Sequence, residues 1–564
     1  MWANAQATPI NFHANEEKLQ SLKEHCPASG NHARQLWKEA AAKGKVEEFD
    51  EFDDQAPVEK AERYTFDPVT GEWHSDIVIV KMEKQSFAKG ALRLCYRMKK
   101  VSNWVTGHHH LWDTASCFVA KRYMKPVDDA IYKADVEMQM VAKHLGELYD
   151  LRHPPKSVDF IQTWIFRLID RESQEIFAVE RFIHGEYVKY NNNCGYVDHD
   201  QVRLTPQTFS HFSYEVSGGD MLVCDIQGVG DIYTDPQIHT AEGTRFGEGN
   251  LGPNGIALFF QSHECSPLCR LLGLQSFDML REKSSWFLQA AADNMTHIGR
   301  RKSLKMLEKH LSRPEVEEPV LSEQERCDGI VLPWQEPTKH SFYGAVHFAL
   351  AMLYTQGRQA ITVDPAQPTQ PQQAPQSSDA TASLHHLQLA AFMRHPQAAW
   401  ICAQVFAHDS SHLSYIDSYA IPIHAAQPTL AVAYLKVAAA EGIGAAAMEL
   451  AMRYEIGADV PVDWQAAVQQ WQNALSSTRG NCEEDGGGAL LVGDTLPVHE
   501  VLSRMALLLL LGKCGVNGRG ESPENAQSMA VGLWEEAAQY AEEMGAYKTA
   551  DKYRRLSEEG LEML

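Results

Sequence analysis

No stretch of this chain comes near the roughly 20 consecutive apolar residues that a membrane-crossing helix requires. The longest apolar run is Met505 to Leu511, so no membrane partner is expected. Surplus positive charge is also missing. The formal net charge is −23, which argues against direct nucleic-acid partners and anionic membranes, since both demand a positive face. The opening residues, MWANAQATPINFHANEEK, lack the charged-then-apolar pattern of a secretory leader. Cysteine is scarce and odd in number, 11 in 564 residues, too scattered for a disulfide framework. These absences give the expectation of a soluble, cytoplasmic protein. What is present, 44% hydrophobic and 9% aromatic residues, is the composition of a folded chain. It is too long for one core and suggests about two to four domains.

Residues 1–30 are polar and read as a disordered N-terminus. Residues 31–46 form a short basic helix candidate with Trp37 as its large anchor, followed by an acidic run from Glu47 to Asp54. From Phe66 to Phe277 strand and helix patterns alternate, as in a mixed α+β domain. Asp76–Met82, Leu92–Arg97 and Cys117–Tyr123 read as strands and Tyr132–Leu145 as a helix. Ile161–Leu168 and Ile176–Phe182 read as a hairpin. Residues 278–340 are charged and weakly patterned, a linker containing Arg300-Arg301-Lys302 before Ser303. Helical patterning occupies residues 341–564, interrupted by a Pro/Gln-rich insertion at 364–378. Alanine and glycine recur there at Ala431, Ala438, Ala439, Gly442 and Gly457, and again from Ala530 to Tyr553. Small residues let paired helices approach closely, which points to a solenoid of helical repeats.

The densest chemistry lies between Met221 and Cys269. The apolar run Met221–Cys224 delivers Asp225, with Gln227 two residues on and Asp235 ten residues on. Oxygen ligands of this kind suit Mg²⁺, which binds through one or two carboxylates plus phosphates. Phosphoryl transfer needs such a metal to neutralise developing charge and a carboxylate to orient the attacking hydroxyl. Lys121 sits on a strand in Val119-Ala-Lys121-Arg-Tyr123, where a lysine can meet ATP phosphates. Gly247-Glu248-Gly249-Asn250-Leu251-Gly252 is a glycine loop whose amides could approach an anion, and its plain reading is a flexible surface loop. His263, Cys265 and Cys269 have the spacing of zinc ligands. A fourth ligand is needed: His211 is the choice, with His239 and Cys224 as alternatives. His108-His109-His110 reads as a solvated loop.

These motifs, in this order, resemble the α-kinase family of atypical protein kinases. The carrying stretches are VAKRY at Val119–Tyr123, RLTPQTFSHF at Arg203–Phe212, DIQGVGDIYTDPQIHT at Asp225–Thr240, GEGNLG at Gly247–Gly252 and SHECSPLC at Ser262–Cys269. The resemblance implies a two-lobed α+β catalytic domain at residues 66–277 with a structural zinc site, followed by an all-α Sel1-like repeat domain. It makes Asp225 the catalytic aspartate and Lys121 the lysine of the ATP phosphates. Glu180 would sit at the hinge meeting the adenine, Gln227 and Asp235 would hold Mg²⁺, and Gly247 to Gly252 would lie near the nucleotide. His211, His263, Cys265 and Cys269 would bind Zn²⁺. It further implies calcium-loaded calmodulin on residues 31–50 around Trp37, and a phosphate pocket of Lys156, Arg203 and Thr205. Ser303 stands in for the expected phosphorylated threonine. The implied reaction is transfer of the ATP γ-phosphate to a threonine of translation elongation factor 2, docked through the C-terminal tail. The other readings are an inactive zinc-stabilised scaffold and an α-kinase for another substrate.

Overall fold

The computed structural model describes residues 52–90, 92–101, 112, 115–197, 203–275, 277, 342–356, 379–407, 427–480, 491–492, 496–510 and 523–559. The expectations placed on 1–30, on Trp37 and residues 31–50, on His108–His110, on Ser303 and the 278–340 linker, on 364–378 and on Leu561–Leu564 lie outside the described residues. The chain divides into two compact units.

The first unit opens with β1 (Val58–Asp67) and β2 (Glu72–Met82), an antiparallel hairpin. Its turn is closed by the Gly71 amide on Asp67 O at 2.9 Å, with Gly71 in the left-handed region. The unit therefore starts upstream of the expected Phe66, which lies inside β1. Acidic composition hid this strand: its charges are paired, as where the buried Glu59 accepts two hydrogen bonds of 2.6 and 2.8 Å from Arg171. Then come β3 (Ala88–Lys89), β4 (Arg93–Lys100) and β5 (Ser116–Tyr123), helix α1 (Asp129–Asp150), β6 (Asp159–Phe160), β7 (Thr163–Leu168) and β8 (Ile176–Arg181). The sheet order is β2-β1-β7-β8-β5-β4-β3, and β2 also pairs with β4 from Val80↔Lys100 to Met82↔Met98. That pairing closes the sheet into a ring. Alternation explains it: Val78, Val80 and Met82 point in while Ile77 and Ile79 point out. The ring is filled by Tyr96, Met98, Phe118, Phe166 and Phe177.

A second core gathers around α1, whose Asp128 caps its N-terminus. Against it lie β9 (Val188–Lys189), α2 (Leu204–Val216), β10 (Met221–Cys224), β11 (Gln227–Val229), β12 (Ile232–Tyr233), β13 (Gln237–Thr240), α3 (Gly252–Ser262) and α4 (Pro267–Leu271). Two small sheets, β10-β13 and β6-β12-β11-β9, complete this part. The two cores are the two lobes of the expected α+β unit, and the functional side chains come from both.

The second unit is helical. Its helices are α5 (Phe342–Gln356), α6 (Ala380–Phe392), α7 (Pro396–Ala407), α8 (Pro428–Ala440), α9 (Gly444–Ile456), α10 (Trp464–Gly480), α11 (Val498–Leu510), α12 (Pro523–Glu543) and α13 (Tyr547–Glu559). Each packs chiefly on its neighbours in sequence, the near-neighbour pattern of a helical array. Its core is alanine-rich, with Trp471 and Trp534 as the large fillers. Gly457 ends α9 in the left-handed region, where a Cβ would also stand 2.8 Å from Val462 Cγ2.

Candidate active site

Lys121 leaves β5 on the strand register opposite Cys95 and Ala178 and is buried. Its ammonium sits 2.7 Å from Glu180 Oε1 and 2.8 Å from Asp235 Oδ2. Burial would lower its pKa, but Asp235 and Glu180 more than offset this and keep it charged. Arg93 reaches the other Asp235 oxygen at 2.9 Å. Burial pushes the Asp235 carboxyl up, yet Arg93 and Lys121 hold it well below the ordinary carboxylate range. It is an anion throughout the physiological range.

Asp225 follows β10 and has φ +58°; Asp235 has φ +47°. Aspartate tolerates this left-handed region better than most residues. Gln227 links the two, donating its amide hydrogens to Asp225 Oδ2 at 3.3 Å and to the Asp235 carbonyl at 2.9 Å. Its own side-chain oxygen is thereby the atom left to meet a cation. Gly228 between them has φ +152°, and a Cβ there would strike Ile232 O at 2.1 Å. Lys189 on β9 pairs with Asp225 Oδ1 at 2.8 Å. Burial nonetheless lifts the Asp225 carboxyl above its ordinary value, against the opposing pull of Lys189. A carboxylate made more basic is better suited to accept a hydroxyl proton. Lys121, Asp225, Gln227 and Asp235 are therefore one cluster, as their sequence order suggested.

Glu180, expected at the hinge meeting an adenine, places its carboxylate on Lys121 and on the Thr234 hydroxyl at 2.8 Å, which anchors the lysine. Sequence reasoning missed Arg93, Lys189, Asp135 and Gln139. Arg93 and Lys189 stand on strands where a cation is ordinarily solvated; pairing across the lobes with Asp235 brings Arg93 inward, and the pairing of β9 with β11 sets Lys189 beside Asp225.

The Gly247–Gly252 loop is a built structure and not a flexible one. The buried Asn250 accepts from the Thr240 and Gly252 amides at 3.0 and 2.9 Å and donates to Thr240 Oγ1 and Arg245 O at 2.6 and 2.7 Å. Its side chain serves the loop itself, whereas Glu248 and Leu251 are not buried. A Cβ at Gly249 would fall 2.1 Å from Gln237 Oε1. His239 completes the anchor: its Nε2 lies 2.9 Å from the Asn193 carbonyl, while its Nδ1 accepts the Leu251 amide at 3.1 Å. That is a neutral imidazole, and burial lowers its pKa to about 4. Because the unfolded chain takes up this proton near pH 6.5, the contribution is complete above that pH and fades as pH falls toward 4. It amounts to roughly 3 kcal/mol. Urea unfolding at pH 7 and pH 5 should show this loss, and a His239→Asn chain should show less of it.

Arg203, expected in a phosphate pocket, donates to the Tyr190 hydroxyl at 2.9 Å and Gly230 O at 2.8 Å and pairs with Asp231. Thr205 is buried and Lys156 exposed. A phosphate would compete with Asp231 for this guanidinium.

The metal-spacing residues converge. One ligand atom each from His211, His263, Cys265 and Cys269 lies within 4.8 Å of the others. His211 Nδ1 is 3.2 Å from His263 Nε2 and 3.8 Å from Cys265 Sγ, and Cys269 Sγ is 3.7 Å from His263 Nε2. The edges of a tetrahedron built on zinc bond lengths are roughly 3.3–3.8 Å. Cys265, His211, His263 and Ser266 hold the Cys269 thiol well below its ordinary pKa, toward the ligand form. His211 Nε2 meets the Gln275 carbonyl at 2.9 Å, fixing the ring from behind. The alternative ligands fall away: His239 anchors the glycine loop, and Cys224 is buried in β10.

Residues 88–269 match the model of the Alpha-kinase family. The chain is 50% identical over 256 residues to eukaryotic elongation factor 2 kinase of Rattus norvegicus, covering 45% of this chain and 35% of that protein. It is 44% identical over 255 residues to the Caenorhabditis elegans kinase of the same name, covering 44% and 33%. It is 42% identical over 229 residues to myosin heavy chain kinase B of Dictyostelium discoideum, covering 40% and 30%. The chain thus spans about a third of the length of these relatives. The α-kinase domain of myosin heavy chain kinase A, solved with ADP, is 36% identical and aligns over 39% of this chain and 99% of its own, with a TM-score of 0.35.

Proposed function

We propose, for a chain whose residues 88–269 belong to the alpha-kinase family, a Mg²⁺-dependent protein serine/threonine kinase that phosphorylates a threonine of translation elongation factor 2. The observation that carries this reading is the single ion-paired cluster of Lys121, Glu180, Asp225, Gln227 and Asp235. In it Lys121, held by Glu180, receives ATP phosphates. Gln227 and Asp235 hold Mg²⁺, which supplies charge neutralisation at the transferring phosphoryl group. Asp225 takes the proton of the incoming hydroxyl. Positioning and charge stabilisation do most of the work of such a transfer.

His211, His263, Cys265 and Cys269 hold a structural zinc, since four protein ligands leave no open position for catalysis. The elongation-factor substrate is supported by the 44–50% identities to kinases of that name. Calcium-loaded calmodulin on residues 31–50, activation at Ser303 through Lys156, Arg203 and Thr205, and presentation of substrate by Sel1-like helical repeats complete the proposal. The cytoplasm is the matching location. No described helix is long and apolar enough to cross a membrane.

Radiolabelled ATP with purified elongation factor 2, with and without calcium–calmodulin, tests it. Label on a factor 2 threonine that rises at least about tenfold with calcium–calmodulin is the expected result. Label on a myosin tail but not on factor 2 moves the chain to another substrate, and no label on either leaves the scaffold reading.

A further inference from the structure

Gln139 lies on the buried face of α1, 3% exposed, among Val136, Met140, Val141 and Ala142. A polar amide in such a place costs free energy unless both ends are satisfied. Here they are. Its nitrogen donates to the Ile161 carbonyl at 2.7 Å, and its oxygen accepts the Asp235 amide at 3.2 Å. The carbonyl of Asp235 is in turn bound by Gln227 at 2.9 Å. Two glutamines from different elements thus clamp the peptide groups on both sides of a residue whose φ is +47°.

The same helix also reaches the carboxylate of Asp235. One turn before Gln139, Asp135 accepts the Tyr123 hydroxyl at 2.8 Å and pairs with Arg93 at 3.5 Å. Arg93 then meets Asp235 Oδ1 at 2.9 Å. Residues four apart face the same way on a helix, so α1 holds Asp235 by its backbone through Gln139 and by its carboxylate through Asp135 and Arg93.

We infer that Gln139 is a positioning residue for Mg²⁺ binding: it fixes the left-handed backbone of Asp235 so that the carboxylate lies beside Lys121 and the Gln227 oxygen. A methionine or leucine would fill the same space, and the amide is needed only if the direction of Asp235 is. The inference rests on the kinase reading of this site.

The test compares wild type, Gln139→Met and Gln139→Glu. The first variant keeps the volume and removes both hydrogen bonds. The second keeps the acceptor for the Asp235 amide and loses the donor to the Ile161 carbonyl. Mn²⁺ binding in the presence of ADP, followed by electron paramagnetic resonance, gives a readout independent of turnover, and Mg²⁺ titration of phosphoryl transfer gives a second.

Gln139→Met should weaken Mn²⁺ binding and raise the half-saturating Mg²⁺ about tenfold, the size of one buried hydrogen bond with its unmet partner. Zinc content should stay at the wild-type level. Gln139→Glu should bind Mn²⁺ closer to the wild-type level than Gln139→Met does. Unchanged metal binding in Gln139→Met overturns the inference. Should that variant fail to fold, Gln139→Glu decides, and Mn²⁺ binding about tenfold weaker than wild type in that variant, with zinc content unchanged, overturns it equally. A wild-type chain that binds no Mn²⁺ with ADP removes the kinase reading itself.

Discussion

An Asp235→Asn chain should transfer phosphate at least about 10³-fold more slowly than wild type at saturating Mg·ATP, a loss comparable to or larger than that of one preorganised electrostatic group. The substitution keeps the volume and removes only the charge. In the native site that charge is shared by Lys121 at 2.8 Å and Arg93 at 2.9 Å. With a metal held here, the carboxylate would serve that ion, and Lys121 and Arg93 would be left to meet phosphate oxygens. The asparagine variant offers the ion a neutral oxygen and leaves two cations short of negative charge. Thermal denaturation with and without Mg·ATP separates this from misfolding: wild type should gain stability on adding the nucleotide, and Asp235→Asn should not. An Asp235→Asn protein with wild-type turnover would remove Asp235 from the metal site.

The second large effect is on the fold. Replacing Cys265 and Cys269 together by serine should abolish zinc binding, measured by metal analysis. It should also unfold the part of the first unit around α2, α3 and α4. Structural zinc contributes about 10–16 kcal/mol of apparent binding free energy in small zinc domains, against a total stability of about 5–15 kcal/mol for a typical domain. Cys269 is fully buried, and its cluster borders the second core through Phe259, Phe260 and Tyr214. Without a shared ion the two imidazoles would stand against an aromatic wall with no common metal partner. Proteolysis or near-ultraviolet circular dichroism should report loosening there. Unchanged zinc content in the double variant would refute the assignment.

Much of the chemistry was readable along the chain because its ligands are close in sequence. Asp225, Gln227 and Asp235 fall on one strand–turn–strand, and His263, Cys265 and Cys269 lie within seven residues, so spacing alone restricts the geometry. His211 was harder, being 52 residues from its partner His263. Its position on the buried side of α2, facing Phe260 and His263, is a matter of packing. The pairing of Glu180 with Lys121 was hidden for the same reason. A glutamate at a strand end can face solvent, a ligand or a lysine, and its choice of Lys121 follows from the pairing of β8 with β5 at Lys121↔Ala178 and Val119↔Glu180.

By itself the sequence determined the alternation of apolar residues that makes β2 and β5 strands, the alanine phasing that makes the second unit helical, and the residue types able to hold Mg²⁺ and a thiolate-bound metal. Local spacing and side-chain chemistry suffice for those. Only the tertiary structure decided that the sheet closes through β2 and β4, that Arg93 and Lys189 face the carboxylates, and that Gln139 and His239 fix the backbone beside them. Those contacts join residues up to 142 positions apart, as between Arg93 and Asp235. Their pairing depends on strand register and helix facing, which local periodicity does not encode.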